Sequence, residues 1–111
     1  MESLNIDLIA QLKPKEVFFE NYQDGDELKK YNGKSLIFYS LANTDLDSRY
    51  EISKFLMKKN VDVISVGKDN ASPFHYLLDQ VKHNLAQTIE LCETLIEMED
   101  QYDTAGSQRD E

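Results

Sequence analysis

Two histidines, one cysteine and a short run of acids are the side chains here that could do chemistry. His75 suits a general base or a ligand, because imidazole titrates near neutrality. A catalytic histidine works beside a nucleophile and an orienting carboxylate, and no such grouping surrounds it. Cys92 falls in phase with Ile89, Leu95 and Ile96, on an apolar helix face. Buried free cysteines behave mostly as small hydrophobes, so this spacing predicts core rather than nucleophile. His83 lies one helical turn beyond Asp79, a spacing that could seed a metal pair. Further ligands at suitable spacing are missing, so a solvated pair at a helix end is the expectation. Asp45, Asp47 and Glu51 resemble part of a calcium loop but lack its glycine and its terminal glutamate. These residues predict no catalytic group, no metal and no cofactor.

Composition narrows the class. A chain of 111 residues, 41% of them hydrophobic, makes one domain with a real core. No apolar run approaches the length of a membrane span, so no membrane partner is expected. Met1 to Asn5 carries no basic region ahead of an apolar stretch, unlike a secretory signal. A single cysteine leaves no disulfide within the chain. The reading is a cytoplasmic monomer. A net charge of −9 argues against nucleic acid, since phosphate contacts need clustered Lys and Arg. It suits a basic protein partner, whose opposite charge would speed encounter. Solubility alone is the simpler account of it.

The elements that would position these residues are mostly helical. Leu4, Leu8 and Leu12, with Ile6 and Ile9, predict a first helix, with Ser3 as N-cap. Lys13-Pro14 interrupts it, and Pro14 suits the first turn of a second helix carrying Val17, Phe18 and Phe19. Asp24-Gly25-Asp26 ends that helix. Tyr31-Asn32-Gly33 is a tight-turn signal, after which Ser35 can cap a short helix bearing Leu36, Ile37, Phe38 and Leu41. Asn43 to Ser48 reads as a loop. A helix then runs from about Arg49 to Lys59, with Ile52, Phe55 and Leu56 on one face. Asn60 suits a left-handed helix end, and Val61, Val63, Ile64 and Val66 an extended connection. Ser72-Pro73 opens another helix, with Phe74, Leu77, Leu78 and Val81 as its stripe. Lys82-His83-Asn84 links it to a helix from about Leu85 to Glu97, with Ile89, Cys92, Leu95 and Ile96 inward. Glu97 to Glu111 holds six acids and one arginine, and reads as a mobile acidic tail.

Two stretches repeat. Gly33-Lys34-Ser35-Leu36-Ile37-Phe38-Tyr39 and Asn70-Ala71-Ser72-Pro73-Phe74-His75-Tyr76 place their serines 37 residues apart. The second resembles the ankyrin-repeat signature of Gly, any residue, then Thr-Pro-Leu-His. Phe55-Leu56-Met57-Lys58-Lys59-Asn60-Val61-Asp62-Val63 resembles that family's Leu-rich helix end followed by Gly-Ala-Asp-Val. Asn60 and Asn70 stand for family glycines at positions that favour positive φ. The spacing exceeds the family period of about 33 residues, and the Asn43–Ser48 loop can hold the excess.

The resemblance implies an all-α fold, a short ankyrin-like solenoid of stacked antiparallel helix pairs with turn or hairpin fingers. Its parts would be a capping helix pair at residues 1–30, a weaker repeat at 31–66, a stronger one at 67–97 and the tail at 98–111. It also implies that His75 ties turn and helix together through the nearby serine. Turn tips and first helices line a concave surface in such stacks. That surface would carry Tyr31, Lys34, Tyr39, Lys68, Asp69, Tyr76, Asp79 and Gln80. Exposed tyrosines are good anchors, and Tyr39 and Tyr76 would stack side by side; packing between repeats is the competing expectation. The function implied is non-catalytic protein–protein interaction. An acidic inhibitor or immunity protein that neutralises a basic partner is a sharper form. The alternatives are a regulatory subunit or fragment of a longer signalling array, and an enzyme with an unrecognised site.

Overall fold

Local turn chemistry divides the described residues into three consecutive helix pairs. The computed structural model describes residues 5–63 and 72–107, with side chains described as far as residue 99. The pairs are α1 (Ile6–Leu12) with α2 (Lys15–Asn21), α3 (Leu36–Leu41) with α4 (Leu46–Lys58), and α5 (Pro73–Leu78) with α6 (Leu85–Ser107). A single 3₁₀ turn at Asp26–Leu28 leads into a small hairpin of β1 (Lys30–Tyr31) and β2 (Lys34–Ser35). Lys30 pairs with Ser35 and Tyr31 with Lys34, leaving a two-residue loop. Both loop residues take positive φ, 54° at Asn32 and 80° at Gly33. That is the conformation a tight two-residue hairpin requires, and Asn-Gly is the pair that tolerates it best.

The helices form two layers. In one, α3 packs between α1 and α5; in the other, α4 packs between α2 and α6. Each pair also packs on itself. The middle of this arrangement is the driest part, and all six residues of α3 are buried. Ser40 survives there because its hydroxyl donates to the Ile37 carbonyl and meets the Ser53 hydroxyl at 2.7 Å. A T-shaped aromatic group of Phe18, Phe19, Tyr22 and Phe55 seals α2 against α4. Such pairs add about 0.5–1.5 kcal/mol beyond the area they bury.

Polar side chains fasten one pair to the next. The Asn43 amide donates to the carbonyls of Ala10, at 2.8 Å, and Lys13, at 2.9 Å. The Ser48 hydroxyl accepts from the Lys15 backbone N–H at 2.8 Å. One unit further on, Arg49 donates to the Lys82 carbonyl at 2.9 Å. Ser35 donates to the Asp62 carbonyl at 2.8 Å, and Lys30 pairs with the Asp62 carboxylate, so the hairpin leans on the segment after α4.

Several expectations change. Helix α4 begins at Leu46, so the predicted Asn43–Ser48 loop shrinks to a short turn in which Asn43 accepts from the Asp45 N–H. Inward on α1 are Asp7, Ile9 and Ala10, while Leu12 is exposed. Helix α6 does not stop at Glu97 but runs to Ser107, so most of the expected tail has helical backbone. Its buried residues are Thr88, Leu91 and Leu95, with Cys92 half-buried; Ile89 and Ile96 face outward. The face is rotated because Thr88 is drawn inward by polar partners, described below. Likewise Leu78 and Val81 are exposed, and Leu77 is the α5 residue that fills the core. Ser3, Ile64, Val66 and Asn70 lie outside the described residues. Among the described residues, no helix is long and apolar enough to cross a membrane.

Candidate partner-binding surface

The hairpin, the start of α3 and α5 bring several of the expected surface residues together. Tyr31 is half-buried and donates its hydroxyl to the Asp26 carbonyl at 3.1 Å. Tyr39 donates to the Tyr31 carbonyl at 2.7 Å, and the two rings meet edge to face at 6.3 Å. Lys34 caps this pair, its ammonium 5.1 Å from the centre of the Tyr39 ring. A cation over an aromatic face contributes about 0.5–1 kcal/mol at exposed sites. Tyr39 is only 7% exposed, so it is a pillar under the surface rather than the exposed anchor its position suggests.

Tyr76 differs. Its ring meets Phe38 edge to face at 5.4 Å, so its neighbour in the row of first helices is Phe38. It is half-buried, and its hydroxyl has no hydrogen-bond partner among the described residues. Burial pushes the phenol above its ordinary range, with Tyr39 adding to the effect. Tyr76 therefore offers a fixed ring and an unspent hydroxyl. Gln80 donates its amide to the Tyr76 carbonyl at 3.0 Å, and Asp79 is exposed at the end of α5. Lys68 and Asp69 lie outside the described residues.

His75 bonds the nearby serine. Ser72 is the N-cap of α5: its hydroxyl accepts from the His75 N–H at 3.3 Å and meets the His75 Nδ1 at 2.8 Å. Ser35, the matching serine, makes no such cap bond and binds the Asp62 carbonyl instead. Asn60 has φ 63°. It ends α4 in a Schellman arrangement, with Asn60 N–H to Met57 C=O at 3.0 Å and Val61 N–H to Leu56 C=O at 3.1 Å.

Arg49 is the residue sequence reasoning missed. It is 1% exposed. Its guanidinium donates to the Lys82 carbonyl and, at 3.1 Å, to the Thr88 hydroxyl, which also meets His83 Nδ1 at 2.9 Å. No carboxylate among the described residues faces it, and its Nε is buried without a partner. Burial lowers its pKa, with nearby Cys92 opposing. The Cys92 thiol is itself pushed up by burial, more than Arg49 pulls it down. The signal for Arg49 was its phase, since it shares the spacing of Ile52, Ser53 and Leu56. Beside it a shallow cleft is lined by Asn43, Leu46, Gln80, Val81 and Lys82. Among the described residues, no group of His, Cys, Asp and Glu is placed to hold a metal ion.

The chain resembles a solved structure, that of a functionally unknown protein from Leptotrichia buccalis C-1013-b, with a TM-score of 0.71 at 28% sequence identity. The alignment covers 85% of this chain and 52% of the other, so the chain spans about half the length of that protein. No family model matches the chain, and no curated protein does.

Proposed function

We propose that the chain is a non-catalytic protein-binding module of the ankyrin-like solenoid kind, using its hairpin and first-helix surface. The observation that carries this reading is the regular stacking of the pairs. Side-chain bonds join each pair to the next along the stack: Ser48 to Lys15 and Asn43 to Ala10 and Lys13 between the first two pairs, Arg49 to Lys82 and Tyr50 to Glu90 between the last two. Their separations, from 30 to 40 residues, bracket the ankyrin period of about 33 residues. Stacked units hold an extended surface rigid, and rigidity lowers the ordering cost of binding.

On this reading Tyr76 and Lys34 are the contact residues, with Asp79 and Gln80 beside them. Tyr31 and Tyr39 support them from below. The partner is a basic protein, drawn by a net charge of −9. A small acidic inhibitor or immunity protein fits this description. Affinity capture with the wild-type chain and with Tyr76→Ala tests it. A stoichiometric basic protein held by the wild type and lost by the variant is the expected result. Recovery of acidic proteins only, or equal capture by both, would contradict it.

A further inference from the structure

The geometry points to a second docking surface on the outer face of α6, built to take a basic amphipathic helix of a partner protein. Helix α6 packs inward through Thr88, Leu91 and Leu95. Its other side carries three large aliphatic residues in the open: Leu85 at 73% exposure, Ile89 at 55% and Ile96 at 45%. Helical spacing puts these in one stripe about 16 Å long. Just before α6, Leu78 and Val81 are exposed as well. Single exposed aliphatics are ordinary, but a stripe of them on one helix marks an interaction site.

Charge identifies the occupant. Glu93 and Glu97 flank the stripe on its outer side. Both are exposed, and neither is engaged by a cation among the described residues. Glu90 is excluded from this flank, because Lys54 and Tyr50 already hold it against α4. An apolar seam with an acidic edge complements a helix whose apolar positions recur at three- and four-residue spacing beside Lys or Arg. A second copy fits poorly, since it would bring another acidic flank and another net charge of −9 to the same seam. This surface is independent of Tyr76 and of the hairpin.

The test uses the full chain and a synthetic amphipathic helical peptide with Leu on one face and Lys on the other. Binding is read by fluorescence anisotropy at low and high salt. Saturable binding is expected, weakened at least tenfold by the double variant Ile89→Ser with Ile96→Ser, which keeps every charge. Glu93→Lys with Glu97→Lys should weaken it similarly and remove most of its salt dependence. Leu12→Ser and Tyr76→Ala should leave it unchanged. Equal binding by wild type and the serine double variant would overturn the proposal. So would equal affinity for a Leu/Glu peptide, or a wild-type dimer that the serine double variant dissociates. Failure here leaves the Tyr76 surface unaffected, because that surface is read by partner capture.

Discussion

Arg49 separates charge from packing at a single position. It is buried with neutral acceptors and no facing carboxylate among the described residues, so its charge is desolvated while its hydrogen bonds anchor the turn before α6. Arg49→Ala should lower stability by roughly 2–4 kcal/mol, through a cavity and unsatisfied partners at Lys82 and Thr88. Arg49→Met fills the space without the desolvated charge and should lose clearly less, as urea unfolding would show. The buried phenols give a second residue-scale prediction. Burial raises Tyr22, Tyr31 and Tyr76, with Tyr31 pushed up to about 12. A raised folded pKa means the folded state holds its proton more tightly. Its stabilisation is complete below the ordinary tyrosine value of about 10 and is lost as pH climbs from there toward 12. Melting temperature should therefore fall over that interval. The phenolate absorbance of Tyr22, Tyr31 and Tyr76 should lag until the fold melts.

At the scale of elements, local chemistry was legible and tertiary choice was not. The Asn32-Gly33 turn, the Ser72 cap with His75 and the left-handed Asn60 each follow from a residue's own backbone preference or reach. Apart from Gly33 itself and its two chain neighbours, no residue comes within 4 Å of where its Cβ would stand, so Gly33→Ala tests backbone conformation alone. It should lower stability by about 1–2 kcal/mol. Ser72→Ala removes a cap and should lower it by about 1 kcal/mol, with α5 as the part whose amides exchange faster. The inward face of α6 was not legible. Apolar spacing favoured Ile89 and Ile96, yet Thr88 points inward because Arg49 and His83 bond its hydroxyl. Similarly, the early start of α4 follows from bonds to other elements, Ser48 to Lys15 and Asn43 to α1, which no local pattern encodes.

For the whole molecule, two layers of helices explain why the expected surface residues differ in burial. Tyr31 and Tyr39 occupy positions that the resemblance placed on the surface, but the Asp26 carbonyl takes the Tyr31 hydroxyl and the Tyr31 carbonyl takes the Tyr39 hydroxyl. Tyr76, by contrast, keeps a hydroxyl free of partners among the described residues. Stability of the stack should also depend on acid. A Tyr22 hydrogen bond holds the Glu27 carboxyl below its ordinary range, and Lys54 does the same for Glu90. A depressed folded pKa stabilises above the ordinary glutamate value of about 4.3 and is lost as pH falls below it. Urea midpoints measured downward from pH 5 should show that decline.

The most direct measurement of the proposed binding function is an amide hydrogen-exchange footprint of the chain with and without the basic protein that affinity capture is expected to recover. Slowed exchange at the hairpin Lys30–Ser35 and along α5 is the predicted result. Protection absent from both, with Tyr76→Ala binding as tightly as the wild type, would contradict it.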